Sequence, residues 1–369
     1  MAASPPSSRR AIQRGILSWF EKNSRDVPWR RDPTPYRVWV SEIMLQQTRT
    51  GTVIPYYERW MRAFPAVEAL AAADLSAVLK AWEGLGYYSR ARNLHAAAKV
   101  VSAQLGGRLP EAPEGLRRLP GIGRYTANAI ASIAFGRDVP VVDGNVSRVL
   151  ARLLAIEEDI TAKATQDRLW ALAGEFLPPG KAATWNPALM EFGARVCTPR
   201  KPACPSCPIS RWCAAGAAGT PEAYPRRRRR QIPRVEAAVG VIRRGDRVFV
   251  QRRPPSGFLG GLWEFPGGKR RPGETLRACL RRELAEEVGF CGTIGRRIMT
   301  NQHGYSMFQV TLHAYECVWR GAAPRPKALE WRWAGPGELE DLAFPAANRR
   351  LIESLRRRAR GGARGVTRR

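Results

Sequence analysis

The sequence lacks any apolar run that approaches the roughly 18 to 20 residues needed to cross a bilayer. Its first ten residues are rich in Ser, Pro and Arg and contain no apolar signal core. They also lack acids, as transit peptides do, but a helical pattern begins almost at once at Ile12 and leaves little to cleave. We therefore expect an intracellular protein without a membrane partner.

Acidic residues are scarce. The 369 residues contain 32 Asp and Glu against 61 Lys and Arg, a formal net charge of +29. A chain this basic usually binds a polyanion, and nucleic acid is the first candidate. A GC-rich genome would also raise the Arg count, but here the charge is clustered. Arg226 to Arg230 form one run, and the residues beyond Arg356 are nearly all Arg and Gly.

The hydrophobic pattern changes character along the chain. From about residue 11 to 192 it is helical, with Pro, Gly and Asp at short intervals, and it shows few alternating, strand-like runs. Beyond the Arg run it becomes strand-like. We expect strands at 237–242, 248–250 and 308–319, with helices at 275–288 and 347–356. The fold class is therefore multi-domain. The predicted parts are an all-α domain over 1–213, a basic linker over 214–234, an α+β domain over 235–358 and a basic tail over 359–369.

Four of the seven cysteines lie close together, with the spacing Cys197-x6-Cys204-x2-Cys207-x5-Cys213. One tight cluster in an intracellular chain indicates metal binding and not a disulfide framework. Prolines between the cysteines hold the segment in turns. Thiolates suit both an iron–sulfur cluster and a tetrahedral zinc site, and the spacing alone does not separate the two.

A Gly-x-Gly turn at Gly121 and Gly123 precedes an Ala- and Ile-rich helix. Such a turn exposes backbone N–H groups at a helix start and can bind a phosphate, although ordinary packing between helices also uses it. About 20 residues later, Asp143 precedes another helical pattern. There it can act as an N-cap, as a functional carboxylate, or as both.

Four segments together resemble the adenine-specific (MutY) branch of the endonuclease III superfamily, the helix–hairpin–helix DNA glycosylases. They cover nearly all of residues 11–213. The segments are VPWR with TPYRVWVSEIMLQQT at 27–48, GLGYYSRARNL at 84–94, the hairpin with DGNVSRVL at 119–150, and the cysteine cluster. The resemblance implies a [4Fe-4S] cluster held by the four cysteines. It also implies excision of adenine mispaired with 8-oxoguanine or guanine in double-stranded DNA by a monomer in the nucleoid.

In this family a buried acid protonates the departing base, while a second carboxylate stabilises the sugar cation. The resemblance assigns these roles to Glu42 and Asp143. The apolar neighbours of Glu42 would raise the pKa of its carboxyl group; without the resemblance it would pass for an exposed Glu on an amphipathic helix. At position 125 enzymes that also cut the strand carry a Lys, which forms a Schiff base. Here Tyr125 predicts a monofunctional enzyme. Tyr125 and Asn145 are expected to hold Asp143 and the attacking water or sugar.

The target base must leave the duplex to reach these acids. Gln47, Leu85 and Tyr87 resemble the residues that wedge into the base stack, although Tyr87 and Tyr88 fit equally well as core aromatics. Gly121 and Gly123 of the hairpin complete the expected DNA contacts.

The second domain contains a complete Nudix box, Gly268-x5-Glu274-x7-Arg282-Glu283-Leu-Ala-Glu286-Glu287-Val-Gly289-Phe290. Glu283, Glu286 and Glu287 lie three and four residues apart on one helix face, which suits Mg²⁺ bound with a diphosphate. An acidic solvated face is the simpler interpretation, but it does not require the Gly and Arg positions.

The wider segment resembles MutT, the 8-oxo-dGTP pyrophosphohydrolase, from GLWEFPGG at 261–268 to FPAAN at 344–348. The resemblance makes Asn348, Ser306, Arg253 and Phe265 candidates for reading 8-oxoguanine. The adenine glycosylases use this fold for the same purpose, with an eroded Nudix box and a Phe-Ser-His loop. Here the box is intact and the loop is Tyr305-Ser306-Met307, with His303 nearby.

Three functions remain open from the sequence. The first is a glycosylase whose second domain only reads the lesion. The second is a glycosylase fused to a hydrolase of 8-oxo-dGTP. The third is a non-enzymatic damage-binding protein, against which the intact Glu42 and Asp143 argue.

Overall fold

A computed structural model describes residues 6–227, 232–255, 257–289, 292–305, 307–320, 324–328 and 330–363. The chain forms two compact units. The first consists of Met1–Ala72 and Asn93–Arg229, and the second of Ala73–Arg92 and Arg230–Arg369. A short helical segment from the first third of the chain therefore packs with the C-terminal part. No helix in the described ranges is both long and apolar enough to cross a membrane.

Helices make up the described part of the chain as far as residue 227, with short 3-10 turns at Cys204–Ser206, Ser210–Trp212 and Pro221–Ala223. In chain order they are α1 (Pro6–Asn23), α2 (Pro28–Arg31), α3 (Pro35–Leu45), α4 (Thr50–Ala63), α5 (Val67–Ala72), α6 (Leu75–Ala81), α7 (Ser89–Gln104), α8 (Pro113–Leu116), α9 (Arg124–Phe135), α10 (Gly144–Leu153), α11 (Lys163–Glu175), α12 (Ala182–Arg195) and α13 (Ala214–Ala217). Helix α6 and the start of α7 belong to the second unit. The predicted all-α character of this region is confirmed.

One hydrophobic core in the first unit joins α1, α10, α11 and α12. Its buried side chains include Ile16, Leu150, Trp185 and Phe192, and full burial of a side chain of this size contributes about 1.5 to 3 kcal/mol. The core brings α10 and α12 very close together. A Cβ atom added to Gly193 would lie only 2.7 Å from the Cβ atom of Asn145. Glycine at 193 is what allows the start of α10 to lie against α12.

A mixed sheet forms the body of the second unit. Its strands are β1 (Arg234–Arg244), β2 (Arg247–Arg252), β3 (Trp263–Glu264), β4 (Gly267–Lys269), β5 (Gly292–Gly304), β6 (Gln309–Trp319) and β7 (Trp331–Ala334). The order is β3-β2-β1-β6-β5, with β4 paired to β1 and β7 to β2. Strands β1 and β6 run parallel, and β5 and β6 form an antiparallel hairpin.

Two helices complete this unit, α14 (Leu276–Val288) and α15 (Arg349–Ala363). Leu280 and Leu284 of α14 pack on one face of the sheet with Phe249. Leu351 and Leu355 of α15 belong to the core on the other face. The expected α+β class is confirmed, and the predicted strands and helices correspond to β1, β2, β6, α14 and α15, although the last three begin one or two residues later than predicted. The sequence analysis did not identify β5, β3, β4 and β7.

Candidate functional site

A cavity of about 410 Å³ opens in the first unit and collects the expected catalytic residues. Glu42 on α3, Tyr125 on α9, and Asp143 and Asn145 at the start of α10 all line it. The volume lies in the range of small-molecule sites. The fold therefore brings together residues that are about 100 positions apart in the sequence.

Glu42 is buried, with 5% of its surface exposed. The Tyr125 hydroxyl donates a hydrogen bond of 2.6 Å to its Oε2 atom. The pKa of the Glu42 carboxyl group is raised to about 7, mainly by burial and also by the nearby Asp143, against the opposing effects of the Tyr125 hydrogen bond and of Arg30. Glu42 can therefore keep a proton near neutral pH, and the alternative of an exposed Glu on an amphipathic helix is wrong.

Asp143 is the N-cap of α10. Its Oδ1 atom accepts hydrogen bonds from the backbone N–H groups of Asn145 and Val146, at 2.9 and 2.7 Å. The Asn145 side chain donates to Oδ2 at 2.8 Å. Burial raises the pKa of the Asp143 carboxyl group, and these hydrogen bonds oppose the rise. Asp143 is thus both a cap and a carboxylate of the cavity.

Tyr125 contacts a different carboxyl group from the one that the sequence led us to expect. Asn145 holds Asp143, as expected, but the Tyr125 hydroxyl holds Glu42. The reason is packing: α9, which begins with Arg124, lies against α3. Asn145 is itself fixed by Arg148, which donates to Asn145 Oδ1 at 2.8 Å and to the Cys197 carbonyl oxygen at 2.7 Å.

A third carboxylate of this cavity, that of Glu191, was not predicted from the sequence. Glu191 on α12 has only 2% of its surface exposed and lines the cavity together with Arg25 and Arg30. Both arginines form ion pairs with it. Burial favours the neutral form, but these pairs hold the pKa of the Glu191 carboxyl group below its usual value. Arg30 belongs to the VPWR segment, and this segment was the sequence signal that could have pointed to a charged site here.

The hairpin before α9 has the geometry expected for phosphate binding. Leu119 and Ile122 are buried, whereas Gly121 and Gly123 are exposed. Gly121 has φ +77°, and a Cβ atom there would lie 2.5 Å from the Cβ atom of Asn93, so only glycine fits. Gly123 is the N-cap of α9, and no side chain caps this helix start. Its N–H groups are therefore available to an anion.

The expected wedge residues differ in exposure. Gln47 is exposed and has φ +56°. In the second unit, Tyr87 is 39% exposed and has φ +50°, whereas Leu85 is 6% exposed and Tyr88 is 2% exposed. Tyr88 is therefore a core aromatic residue, whereas the Tyr87 ring remains accessible. The Leu85 side chain is packed inside, so any DNA contact at this position comes from its backbone.

The four cysteines of the cluster line one small cavity in the first unit, together with apolar side chains such as Phe192 and Ile209. In the described ranges no three His, Cys, Asp or Glu side chains lie close enough to bind a single metal ion. Arg152, which the sequence analysis did not identify, is 1% exposed and secures the segment. Its guanidinium donates to the carbonyl oxygens of Thr198 at 2.6 Å and Pro199 at 3.0 Å, and to the Cys197 sulfur at 3.4 Å.

A second large cavity, of about 460 Å³, lies in the second unit. Glu283, Glu287 and Glu264 line one part of it, whereas Glu286 does not line it and its side chain is 49% exposed. Burial raises the pKa of Glu287 to about 7, and the neighbouring Glu264 and Glu283 also raise it. Its Oε2 atom accepts hydrogen bonds from the Gly267 N–H group at 3.0 Å and from the Gln251 amide at 2.9 Å.

The other Nudix positions support this carboxylate group. A Cβ atom at Gly268 would lie 2.3 Å from the carboxyl carbon of Glu283, so any other residue there would displace this carboxyl group. Arg282 makes a bidentate pair with Glu274, at 2.6 and 3.0 Å, and also pairs with Glu283. The Gly and Arg positions of the motif thus have structural roles.

The expected reading residues line the same second cavity. Asn348, Arg253 and Phe265 are all part of its wall. Asn348 is 6% exposed, and its Oδ1 atom has no hydrogen-bond partner among the residues that the structure describes. Arg253 forms an ion pair with Glu264, a residue that the sequence analysis did not single out.

The loop between β5 and β6 contributes aromatic residues to this wall. Tyr305 and Phe308 pack against each other and against Phe258, with ring centroids 5.1 to 5.3 Å apart. Ser306 lies outside the described residues, and Met307 is 68% exposed. His303 is half-buried with its ring 4.7 Å from that of Tyr305; burial lowers its pKa.

Comparison with known proteins agrees with this geometry. Residues 40–175 match the model of the HhH-GPD superfamily of base-excision DNA repair proteins, and residues 238–354 match that of the NUDIX domain. A thermostable thymine-DNA glycosylase of known structure is 31% identical, with a TM-score of 0.52 over 57% of this chain and 98% of its own. A trapped endonuclease III–DNA intermediate superposes with a TM-score of 0.52 at 22% identity, over 59% of this chain and 99% of its own, which shows the fold.

The helical fold and its paired buried carboxylates define a base-excision DNA glycosylase of the helix–hairpin–helix superfamily. The human adenine DNA glycosylase is 36% identical over 403 residues, which are 93% of this chain and 73% of the human protein. The rat adenine DNA glycosylase is 36% identical over 97% of this chain and 80% of its own length. The chain belongs to the adenine DNA glycosylase family.

Proposed function

We propose that the chain hydrolyses the N-glycosidic bond of adenine paired with 8-oxoguanine or guanine in duplex DNA. The observation that carries this proposal is the buried Glu42, whose raised pKa keeps it protonated beside Asp143 in a cavity of nucleobase size. Glu42 donates its proton to the departing adenine, and Asp143, held by two backbone N–H groups and Asn145, stabilises the cation that forms on the sugar. A water molecule then adds to the sugar carbon, and its surplus proton passes to the Glu42 carboxylate left by the first step, which restores the acid. The Glu191–Arg30 pair offers polar contacts to the base in the same cavity.

The test is Glu42→Gln, which removes the proton and keeps the shape. Adenine release under single-turnover conditions is expected to fall at least about a hundredfold, while binding to the mispaired duplex is retained. Glu58→Gln is the matched control, because Glu58 is exposed in the same unit. Normal adenine release by Glu42→Gln would show that the acid is another residue.

We further propose that the enzyme is monofunctional. Tyr125 takes the position of the Schiff-base lysine, and a buried phenol that donates to Glu42 cannot form an imine with the sugar. Borohydride treatment of the enzyme with its substrate is expected to give no covalent protein–DNA adduct. Efficient trapping of the wild-type protein would overturn this assignment.

The four cysteines fit a [4Fe-4S] cluster. Their sulfurs surround a cavity with apolar walls instead of converging on one point, which suits a polynuclear cluster better than a single zinc ion. Cys197, Cys204, Cys207 and Cys213 would hold it, and its contribution would be to fix the loop that Arg152 also secures. Protein purified without air is expected to be brown and to contain about four irons per chain. One zinc per chain in a colourless protein would contradict the cluster.

The second cavity is proposed to read 8-oxoguanine in the pair. The unpartnered Oδ1 atom of the buried Asn348 is an acceptor without a donor, and 8-oxoguanine carries an N7–H group where guanine has only an acceptor. Arg253 and Phe265 line the same wall. The domain division of the sequence analysis, with a reader over 235–358, is part of this proposal.

A second candidate activity is hydrolysis of 8-oxo-dGTP to the monophosphate and pyrophosphate. The observation that favours it is that two Nudix carboxylates, Glu283 and Glu287, and the reading residues line one cavity, which can hold a base at one end and phosphates at the other. Glu283, Glu286 and Glu287 would hold Mg²⁺, which when bound neutralises phosphate charge. The full-length protein with Mg²⁺ and 8-oxo-dGTP is expected to release pyrophosphate. If it does not, yet Asn348→Ala still weakens the preference for 8-oxoguanine, the second unit is a reader only.

A further inference from the structure

The segment Ala73–Arg92, which carries the exposed Tyr87, is part of the same compact unit as the reading cavity. Its loop at 84–87 has a fixed shape. Gly84, Gly86 and Tyr87 have φ values of +101°, +74° and +50°. Arg90 donates to the carbonyl oxygens of Leu85 and Gly86, at 3.3 and 3.1 Å, and the Trp82 indole donates to the Gly86 carbonyl oxygen at 3.0 Å. These bonds connect both ends of the loop to its centre at Leu85 and Gly86.

Tyr88 ties the base of this loop to the wall that carries Asn348. Its hydroxyl donates a hydrogen bond of 3.2 Å to the carbonyl oxygen of Phe344. Phe344 begins the segment that ends in Asn348, and its ring stacks on that of Phe265 with centroids 5.6 Å apart. Tyr88 is 2% exposed, so this bond is shielded from water. The neighbour of the accessible Tyr87 thus contacts the reading segment directly.

Arg92 ties the same loop to a second wall of the cavity. Its guanidinium donates to the carbonyl oxygens of Gly260 at 2.6 Å and Gly257 at 3.3 Å. The two residues between those glycines, Phe258 and Leu259, line the cavity. One rigid loop is therefore attached to two separate parts of the reading cavity.

We propose that Tyr88 and Arg92 are positioning residues that couple insertion of Tyr87 into the base stack to occupation of the Asn348 cavity by the oxidised purine. A base that settles between the Asn348 segment and the 257–260 segment sets the position of both walls. Through Tyr88 and Arg92 those walls set the position of the loop. The inference rests on the proposed reading function, and it explains how a reading event acts on a residue that lies outside the cavity.

A double-mutant cycle tests this coupling, because contacts that act through each other are not additive. Single-turnover adenine release is measured with 8-oxoguanine:adenine and guanine:adenine duplexes, and 2-aminopurine beside the lesion reports unstacking. Tyr88→Phe is expected to lower the ratio of the two rates about three- to tenfold, the effect of one buried hydrogen bond, and to reduce unstacking only in the 8-oxoguanine duplex. The same change in an Asn348→Ala background is expected to alter the ratio less than about twofold.

Tyr36→Phe is the matched control, since the Tyr36 hydroxyl also donates to a backbone carbonyl, that of Phe64 at 2.9 Å, in the first unit. It is expected to leave the ratio unchanged. Arg92→Lys provides a second, independent variant and is expected to behave as Tyr88→Phe does.

Two results would overturn the coupling in distinguishable ways. If Asn348→Ala lowers the ratio but Tyr88→Phe has the same effect in both backgrounds, or none in either, reading stands and the coupling is wrong. If Asn348→Ala alone leaves the ratio unchanged, the reading function is overturned and the coupling with it.

Discussion

Glu42 in the first unit is buried and Glu287 in the second is half-buried, and the pKa of each is raised to about 7, but their surroundings differ. The carboxylate that raises the pKa of Glu42 is Asp143, which is itself satisfied by the N–H groups of a helix start. The pKa of Glu287 is raised by both Glu264 and Glu283, which lie with it in a cavity wall.

A raised pKa therefore does not by itself show which chemical role a carboxyl group has. A carboxyl group with a single, satisfied neighbour keeps a proton that it can give to a leaving group. When several carboxylates lie close together, either a proton or a cation reduces the repulsion between them. If a cation binds, the carboxyl group acts as its ligand. The two sites are therefore expected to respond differently to substitution, pH and metal.

The largest expected effect separates the two sites by substitution. Glu287→Gln is expected to reduce Mg²⁺-dependent pyrophosphate release from 8-oxo-dGTP at least about a hundredfold, since it removes a charged ligand. Adenine release from duplex DNA is expected to stay within about twofold of wild type, whereas Glu42→Gln shows the reverse pattern. Loss of adenine release in Glu287→Gln would mean that the two sites are not independent.

The next effect is in the pH dependence of excision. Because the pKa of Glu42 is raised to about 7 and the protonated form is the one that reacts, the rate of adenine release is expected to be lost as pH rises through about 7. Above that value the decline is about tenfold per pH unit. Single-turnover rates between pH 5 and pH 9 measure it, with Glu287→Gln as the control that keeps the same profile. A rate independent of pH across this range would exclude Glu42 as the acid.

A smaller effect concerns the reading wall. Asn348→Ala is expected to lower the ratio of adenine release from 8-oxoguanine and guanine pairs about tenfold, because one buried acceptor is lost. The rate of adenine release from the guanine pair is expected to stay unchanged. Equal losses on both substrates would point to damaged folding, which thermal unfolding of the variant would reveal.

The smallest expected effect is a change in the pKa of Glu42. The Tyr125 hydroxyl lowers the pKa of Glu42 by stabilising its carboxylate, so Tyr125→Phe is expected to raise that pKa. The alkaline decline of the excision rate is expected to move up by about half to one pH unit. A shift to lower pH would show that the hydroxyl stabilises the protonated acid instead.

Local patterns in the sequence were enough to predict the helical class of the first part and the α+β class of the second, whereas several residues that line the two cavities were named only through the family resemblance. Asp143 as an N-cap and Glu42 in an apolar setting follow from their immediate neighbours. Glu191 and Arg152 could not be predicted in this way, because their roles depend on partners such as Arg25 and Thr198 that lie far away in the sequence. For the same reason, the attachment of Tyr88 to Phe344 has no local signature.

The N-cap at Asp143 gives one carboxylate two separate uses. Asparagine caps a helix about as well as aspartate does, so Asp143→Asn is expected to preserve the start of α10 while removing the charge that the sugar cation needs. A screen that scores only folding or abundance would therefore pass this variant as neutral. Such a protein would remain on the lesion without excising the base, which makes it a reagent for marking mispaired adenines along a genome.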